Sequence, residues 1–71
     1  MTKVVLKKIN PEGRALSGTL IGTVTIGRSV IVDLDGIHEY QTTPLKRAFQ
    51  VGETVYFETA NSRYSMRFKG F

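Results

Sequence analysis

Three short stretches of this 71-residue chain carry residue types that could do chemistry. The first is Gly22-Thr23-Val24-Thr25-Ile26-Gly27-Arg28-Ser29. Its glycine spacing matches that of a phosphate-cradling loop, with Arg28 where such loops carry lysine. Cradling a phosphate needs a flexible loop whose amides surround the anion, followed at once by a helix. Thr23 to Ile26 are strand-forming residues instead, and Val30-Ile31-Val32 is strand-forming again, so the stretch is read as a hairpin. The second stretch, Asp33-Leu34-Asp35-Gly36, opens like a calcium loop. Ile37, His38 and Tyr40 do not continue a ligand series, and no bidentate glutamate closes it. Asp35-Gly36 between Leu34 and Ile37 is the signature of a tight hairpin. The third candidate is His38, the only histidine. Opposite Asp33 it would form half of a general-base pair, with Ser29, Thr25 or Tyr40 as the nearest hydroxyls. A His–Asp contact on a sheet face encloses no substrate. With six carboxylates, one histidine and no cysteine, the chain is expected to have no catalytic role, no metal and no cofactor.

Two surfaces are better candidates for binding. In the C-terminal hairpin, Tyr56 is expected beside Ser65, between Arg63 and Arg67 on the outer face. An aromatic ring flanked by guanidiniums can stack a base while the cations hold phosphates. Lys46 and Arg47 in the preceding connection extend that patch. The other surface gathers Ile21, Ile31, His38 and Tyr40 on the outward face of the middle strands. An apolar and aromatic cluster there suits a protein partner or a second copy of the chain, unless the N-terminal segment covers it through Val5 and Leu16. The leading expectation is a binding or adaptor module with a protein partner, and the alternative is a nucleic-acid-binding protein. No small-molecule substrate and no membrane contact are expected.

The elements that must position these residues have a period of two. Leu20, Gly22, Val24 and Ile26 alternate with Ile21, Thr23 and Thr25. Val30, Val32 and Leu34 alternate with Ile31 and Asp33; Val55 and Phe57 with Tyr56 and Glu58; Tyr64, Met66 and Phe68 with Arg63, Ser65 and Arg67. Asn10-Pro11-Glu12-Gly13 reads as a type I turn, and Val51-Gly52-Glu53 breaks the chain before the last hairpin. Turn lengths then set register. A three-residue loop at Gly27-Arg28-Ser29 pairs Ile26 with Val30 and Val24 with Val32. A two-residue loop at Asp35-Gly36 pairs Leu34 with Ile37, Asp33 with His38 and Ile31 with Tyr40. A two-residue loop at Ala60-Asn61 pairs Phe57 with Tyr64, Val55 with Met66 and Glu58 with Arg63. Thr42 to Phe49 is either a short turn opened by Pro44 or a kinked strand. The expected core is Leu20, Val24, Ile26, Val30, Val32, Leu34, Val55, Phe57, Met66 and Phe68.

These signals make residues 1–71 one all-β domain: a small antiparallel SH3-like barrel or sandwich of five to six strands, with at most one helical turn. The OB-fold, which is usually longer and carries a helix, is the runner-up. The likeness is one of architecture, and architecture alone assigns no function. Ten basic against six acidic side chains give a net charge of +4, compatible with a polyanionic partner. The charge is spread evenly, five basic and three acidic residues in each of 1–35 and 36–71. The absence of cysteine and of an apolar N-terminal run points to the cytoplasm.

Overall fold

The computed structural model describes the chain from Thr2 to Gly70 except Asp35. Seven strands are present: β1 (Thr2–Asn10), β2 (Ala15–Ile21), β3 (Ile31–Asp33), β4 (Glu39–Gln41), β5 (Leu45–Val51), β6 (Thr54–Thr59) and β7 (Arg63–Gly70). They form one antiparallel sheet in the order β4-β3-β2-β1-β7-β6-β5. The protein is therefore all-β, and no helix occurs among the described residues. In particular, none is long and apolar enough to cross a membrane. The sheet is open and has seven strands, where a barrel or sandwich of five to six was expected.

The sheet is nonetheless rolled, since its shortest dimension is 22 Å against a longest of 27 Å. Its concave side holds the core: Val4, Leu6, Val30, Val32, Leu45, Val55, Phe57, Tyr64 and Met66. Phe57 stacks on Tyr64 with ring centroids 5.0 Å apart. The two free edges approach each other through the connection at residues 22–30. The Gly27 N–H donates to the Leu45 carbonyl at 2.8 Å, and the Leu45 N–H to the Arg28 carbonyl at 3.0 Å. The Thr42 N–H donates to the Val30 carbonyl, and the Val30 N–H to Thr42 Oγ1, each at 3.0 Å. Buried backbone groups between the two edges thus find partners without a closed ladder.

Two expected hairpins are corrected. β2 leaves the sheet after Ile21, because Gly22 takes a left-handed conformation with φ of 77°. No hairpin forms about Gly27-Arg28-Ser29. β2 starts at Ala15, paired along β1, and meets β3 as Thr19↔Asp33, Leu20↔Val32 and Ile21↔Ile31. Ile26 is consequently 56% exposed and outside the core. The next turn is one residue longer than expected: Val32 pairs with Tyr40, Asp33 with Glu39, and the Leu34 N–H donates to the His38 carbonyl at 2.9 Å. The pairs Asp33–His38 and Ile31–Tyr40 are not formed, and Asp35 lies outside the described residues. The slip moves Tyr40 to the concave side, where its hydroxyl lies 3.0 Å from that of Tyr64.

The last hairpin has the expected register, Phe57↔Tyr64, Val55↔Met66 and Glu58↔Arg63. Leu20, Val24, Leu34 and Phe68 are partly buried against the core. The stretch from Thr42 resolves as a kinked strand: β5 is extended with an irregularity between Leu45 and Arg47, and no helical turn forms. The N-terminal segment does not lie over the outer face. It is the central strand, with Val4 and Leu6 inward and Val5 on the convex side between Arg67 and Ser17.

Candidate nucleic-acid interface

Residues paired across an antiparallel ladder share a face, so register defines the convex surface of β5, β6, β7 and β1 in rows. One row runs Arg47, Glu58, Arg63, Asn10. The next runs Phe49, Tyr56, Ser65, Lys7, and the third Val51, Thr54, Arg67, Val5. Arg47, Arg63 and Arg67 therefore stand in the rows on either side of one aromatic pair, and Lys7 ends its own row two strands from Tyr56. The rings of Phe49 and Tyr56 are stacked, with centroids 5.3 Å apart and planes inclined by 22°. Phe49 is 62% exposed, which is unusual for a phenylalanine in a strand and leaves a π-face open to solvent.

The electrostatics of the rows follow from their neighbours. Arg63 Nε lies 3.3 Å from Glu58 Oε2, so one guanidinium is already held in place by a carboxylate. Among the described residues, Arg47, Arg67 and Lys7 form no salt bridge and keep their charge toward solvent. Beside the aromatic pair lies a groove of about 390 Å³, lined by Ile9, Arg47, Phe49, Tyr56, Glu58 and Arg63 among others. Its apolar floor and cationic rim match a stacked base with a phosphate on either side.

The structure brings together Tyr56, Arg63, Arg67 and Arg47 of the expected basic patch. Lys46 sits at the irregularity that begins β5, exposed but outside the rows. The other expected cluster does not assemble. Ile21 and Ile31 pair and share the convex face, but Tyr40 points to the concave side and His38 belongs to the turn before β4. Sequence reading missed Phe49 and Lys7. Phe49 was legible in principle, because Arg47, Phe49 and Val51 alternate up to a Gly52-Glu53 turn that restarts at Thr54. Gly52 has φ of 60° and Glu53 does not have positive φ, as a two-residue type II′ hairpin turn requires. Lys7 reaches the site through the pairing of β1 with β7, which no local pattern announces.

A second polar feature lies at the opposite side of the sheet. Tyr40 and Tyr64 meet edge to face, 6.3 Å between centroids, above an opening of about 260 Å³ bordered by Lys8 and Arg14. Burial, the hydrogen bond to Tyr64 and the charge that Tyr64 would carry push the Tyr40 hydroxyl up to about 12. The pair ties β4 to β7 and is therefore a structural contact between distant strands.

No family model, no curated protein and no solved structure matches the chain.

Proposed function

We propose that this protein is a non-catalytic module that binds single-stranded nucleic acid on the convex face of β5, β6, β7 and β1. The observation that carries the reading is the solvent-open Phe49–Tyr56 stack with Arg47, Arg63, Arg67 and Lys7 around it. A base stacks on Phe49 or Tyr56, and the cations neutralise the phosphates on either side of it. A duplex cannot use the stack without unpairing, so single strands are preferred. The reading places the protein in the cytoplasm, as an SH3-like small-barrel module with an incompletely closed wall. A protein partner on Ile21, Ile31, His38 and Tyr40 is the weaker reading, because Tyr40 and His38 do not join the two isoleucines on one surface.

Fluorescence anisotropy with a labelled single-stranded oligonucleotide tests it. Affinity should fall with salt, by a slope of about −0.7 per contacted phosphate, hence about −2 for three contacts. Arg67→Ala should flatten the slope by roughly 0.7 and weaken binding alike across sequences. Tyr56→Ala should cost about 1–3 kcal/mol and leave the slope unchanged, since stacking releases no counterions. Absence of binding below about 100 μM at low salt would sink the reading in favour of a protein partner.

A further inference from the structure

The sheet has two edges, and they differ. β4 is an edge of three residues, while β5 is an edge of seven. Every residue of β5 after Leu45 is exposed, and Phe49 and Val51 are 62% and 61% exposed. The outward backbone groups of Leu45 are taken by Gly27 and Arg28. Counting ladder bonds back from the two-residue turn at Gly52-Glu53, Val51, Phe49 and Arg47 direct their N–H and C=O groups to β6. Those of Gln50 and Ala48 point away from the sheet, where no described strand pairs with them. Soluble proteins normally blunt such an edge. Here the blunting charges, Lys46 and Arg47, stand only at its beginning.

We propose that β5 pairs antiparallel with β5 of a second copy, about a two-fold axis through Ala48. The strand is self-complementary in that register. Arg47 falls opposite the partner's Phe49 and Ala48 opposite itself, and Lys46, at the irregularity, comes nearest the partner's Gln50. The cationic half of one strand thus meets the uncharged half of the other. Arg47 comes over an exposed aromatic face, a favourable cation–π arrangement. A parallel pairing would set Lys46 and Arg47 against their own copies, and an axis through Arg47 would set Arg47 against its own copy; like charges directly opposite are unfavourable. An axis through Phe49 also avoids the clash, but it sets Arg47 opposite the partner's Val51 and forgoes the contact with Phe49. The resulting dimer has one continuous sheet of fourteen strands. Its two Phe49–Tyr56 stacks lie in adjacent rows of one convex face, each Phe49 capped on its open side by the partner's Arg47. The self-pairing shares its hairpin with the nucleic-acid reading but is tested without any oligonucleotide, so either can fail while the other stands.

Sedimentation velocity of the full chain over increasing concentration is the test. The mass should double, and Ala48→Lys should weaken the association at least tenfold by setting two ammonium groups face to face. Ala48→Glu should do the same alone, and an equimolar mixture of the two variants should restore the dimer. Ala48 is exposed, so neither substitution disturbs the core. Amide hydrogen exchange on the unmodified chain gives a second reading: the Gln50 amide should become protected as concentration rises. A chain that stays monomeric at all concentrations up to about 1 mM would overturn the proposal. So would a dimer that Ala48→Lys leaves intact, a mixture that fails to reassociate, or a Gln50 amide whose exchange ignores concentration.

Discussion

Tyr40 shows how one side chain joins strands that are far apart in the chain. Its hydroxyl lies 3.0 Å from that of Tyr64, and only one of the two can donate at a time. Ionising Tyr40 removes a proton from a contact that is partly shielded from water. The Tyr40 hydroxyl is accordingly raised from 10.0 to about 12, first by burial and then by its bond to Tyr64. The sign of the linkage follows. The folded state holds this proton more tightly than the unfolded chain, so its contribution is full below pH 10. It is lost as pH climbs from 10 toward 12. Chemical denaturation at a series of alkaline pH values should show stability falling through that window. In Tyr40→Phe the fall should be shallower, with a lower starting stability by about 0.5–1.5 kcal/mol for the lost hydrogen bond. Equal slopes in the two proteins would show that Tyr40 does not titrate in this contact.

At the scale of elements, β2 depends on one close approach. A Cβ at Gly18 would overlap the Asp33 carbonyl oxygen and sit 2.7 Å from Val32 Cγ1. The obstacle is backbone, which does not rotate away as a flexible side chain would. Gly18→Ala should therefore push β3 off β2 and cost about 1–3 kcal/mol. Thermal unfolding should report the loss, and the amides of Val32 and Asp33 should exchange faster than those of β6. Strand by strand, legibility followed locality. The β6–β7 hairpin was readable because Ala60-Asn61 joins two regular alternating runs, and the two-residue turn there selects a register that keeps Phe57 and Tyr64 on the same side. The run from Leu20 to Ile26 looked equally regular. Its second half is not a strand, because β1 had already fixed where β2 begins and Gly22 turns the chain toward Leu45. The turn before β4 is one residue longer than the shortest hairpin loop, since placing Tyr40 against Tyr64 outweighs the preference for that loop. Val4 and Leu6, both buried, went unnoticed because lysines flank them in a short N-terminal run.

For the whole molecule, the consequence of the strand order is that the convex face combines both ends of the chain. Lys7 stands on β1 and Arg67 on β7, and the two strands are neighbours through Ser65↔Lys7 and Arg67↔Val5. If that face carries a single strand, Lys7→Ala should reduce the salt slope by roughly 0.7, as much as Arg67→Ala does. Lys8→Ala, one residue away but paired with buried Tyr64 on the concave side, should leave it unchanged. Titrations at several salt concentrations separate the two outcomes, and equal effects from Lys7 and Lys8 would mean that the face is not the binding surface. This part of the candidate site was illegible in the sequence. Nothing in residues 1–10 alone says which strand lies beside them, whereas the basic and aromatic residues of 56–67 sit within one hairpin.

The pairing of β1 with β7 also divides the molecule in time. β1 to β4 form one meander and β5 to β7 another, and each is built from neighbours in sequence. The seam between them joins the first of the seven described strands to the last. Closing it encloses more than fifty residues of chain between Leu6 and Met66, whose loop entropy must be spent before their contact returns anything. On a chain still being synthesised, the first meander can zip while the apolar side of β1 waits uncovered. Val4 and Leu6 gain their shelter only when Met66 and Phe68 have emerged. Folding is therefore expected to wait for the last of these strands, and a chain stopped before β7 would lack the β1–β7 seam, its two half-sheets meeting through the bonds of Leu45 with Gly27 and Arg28.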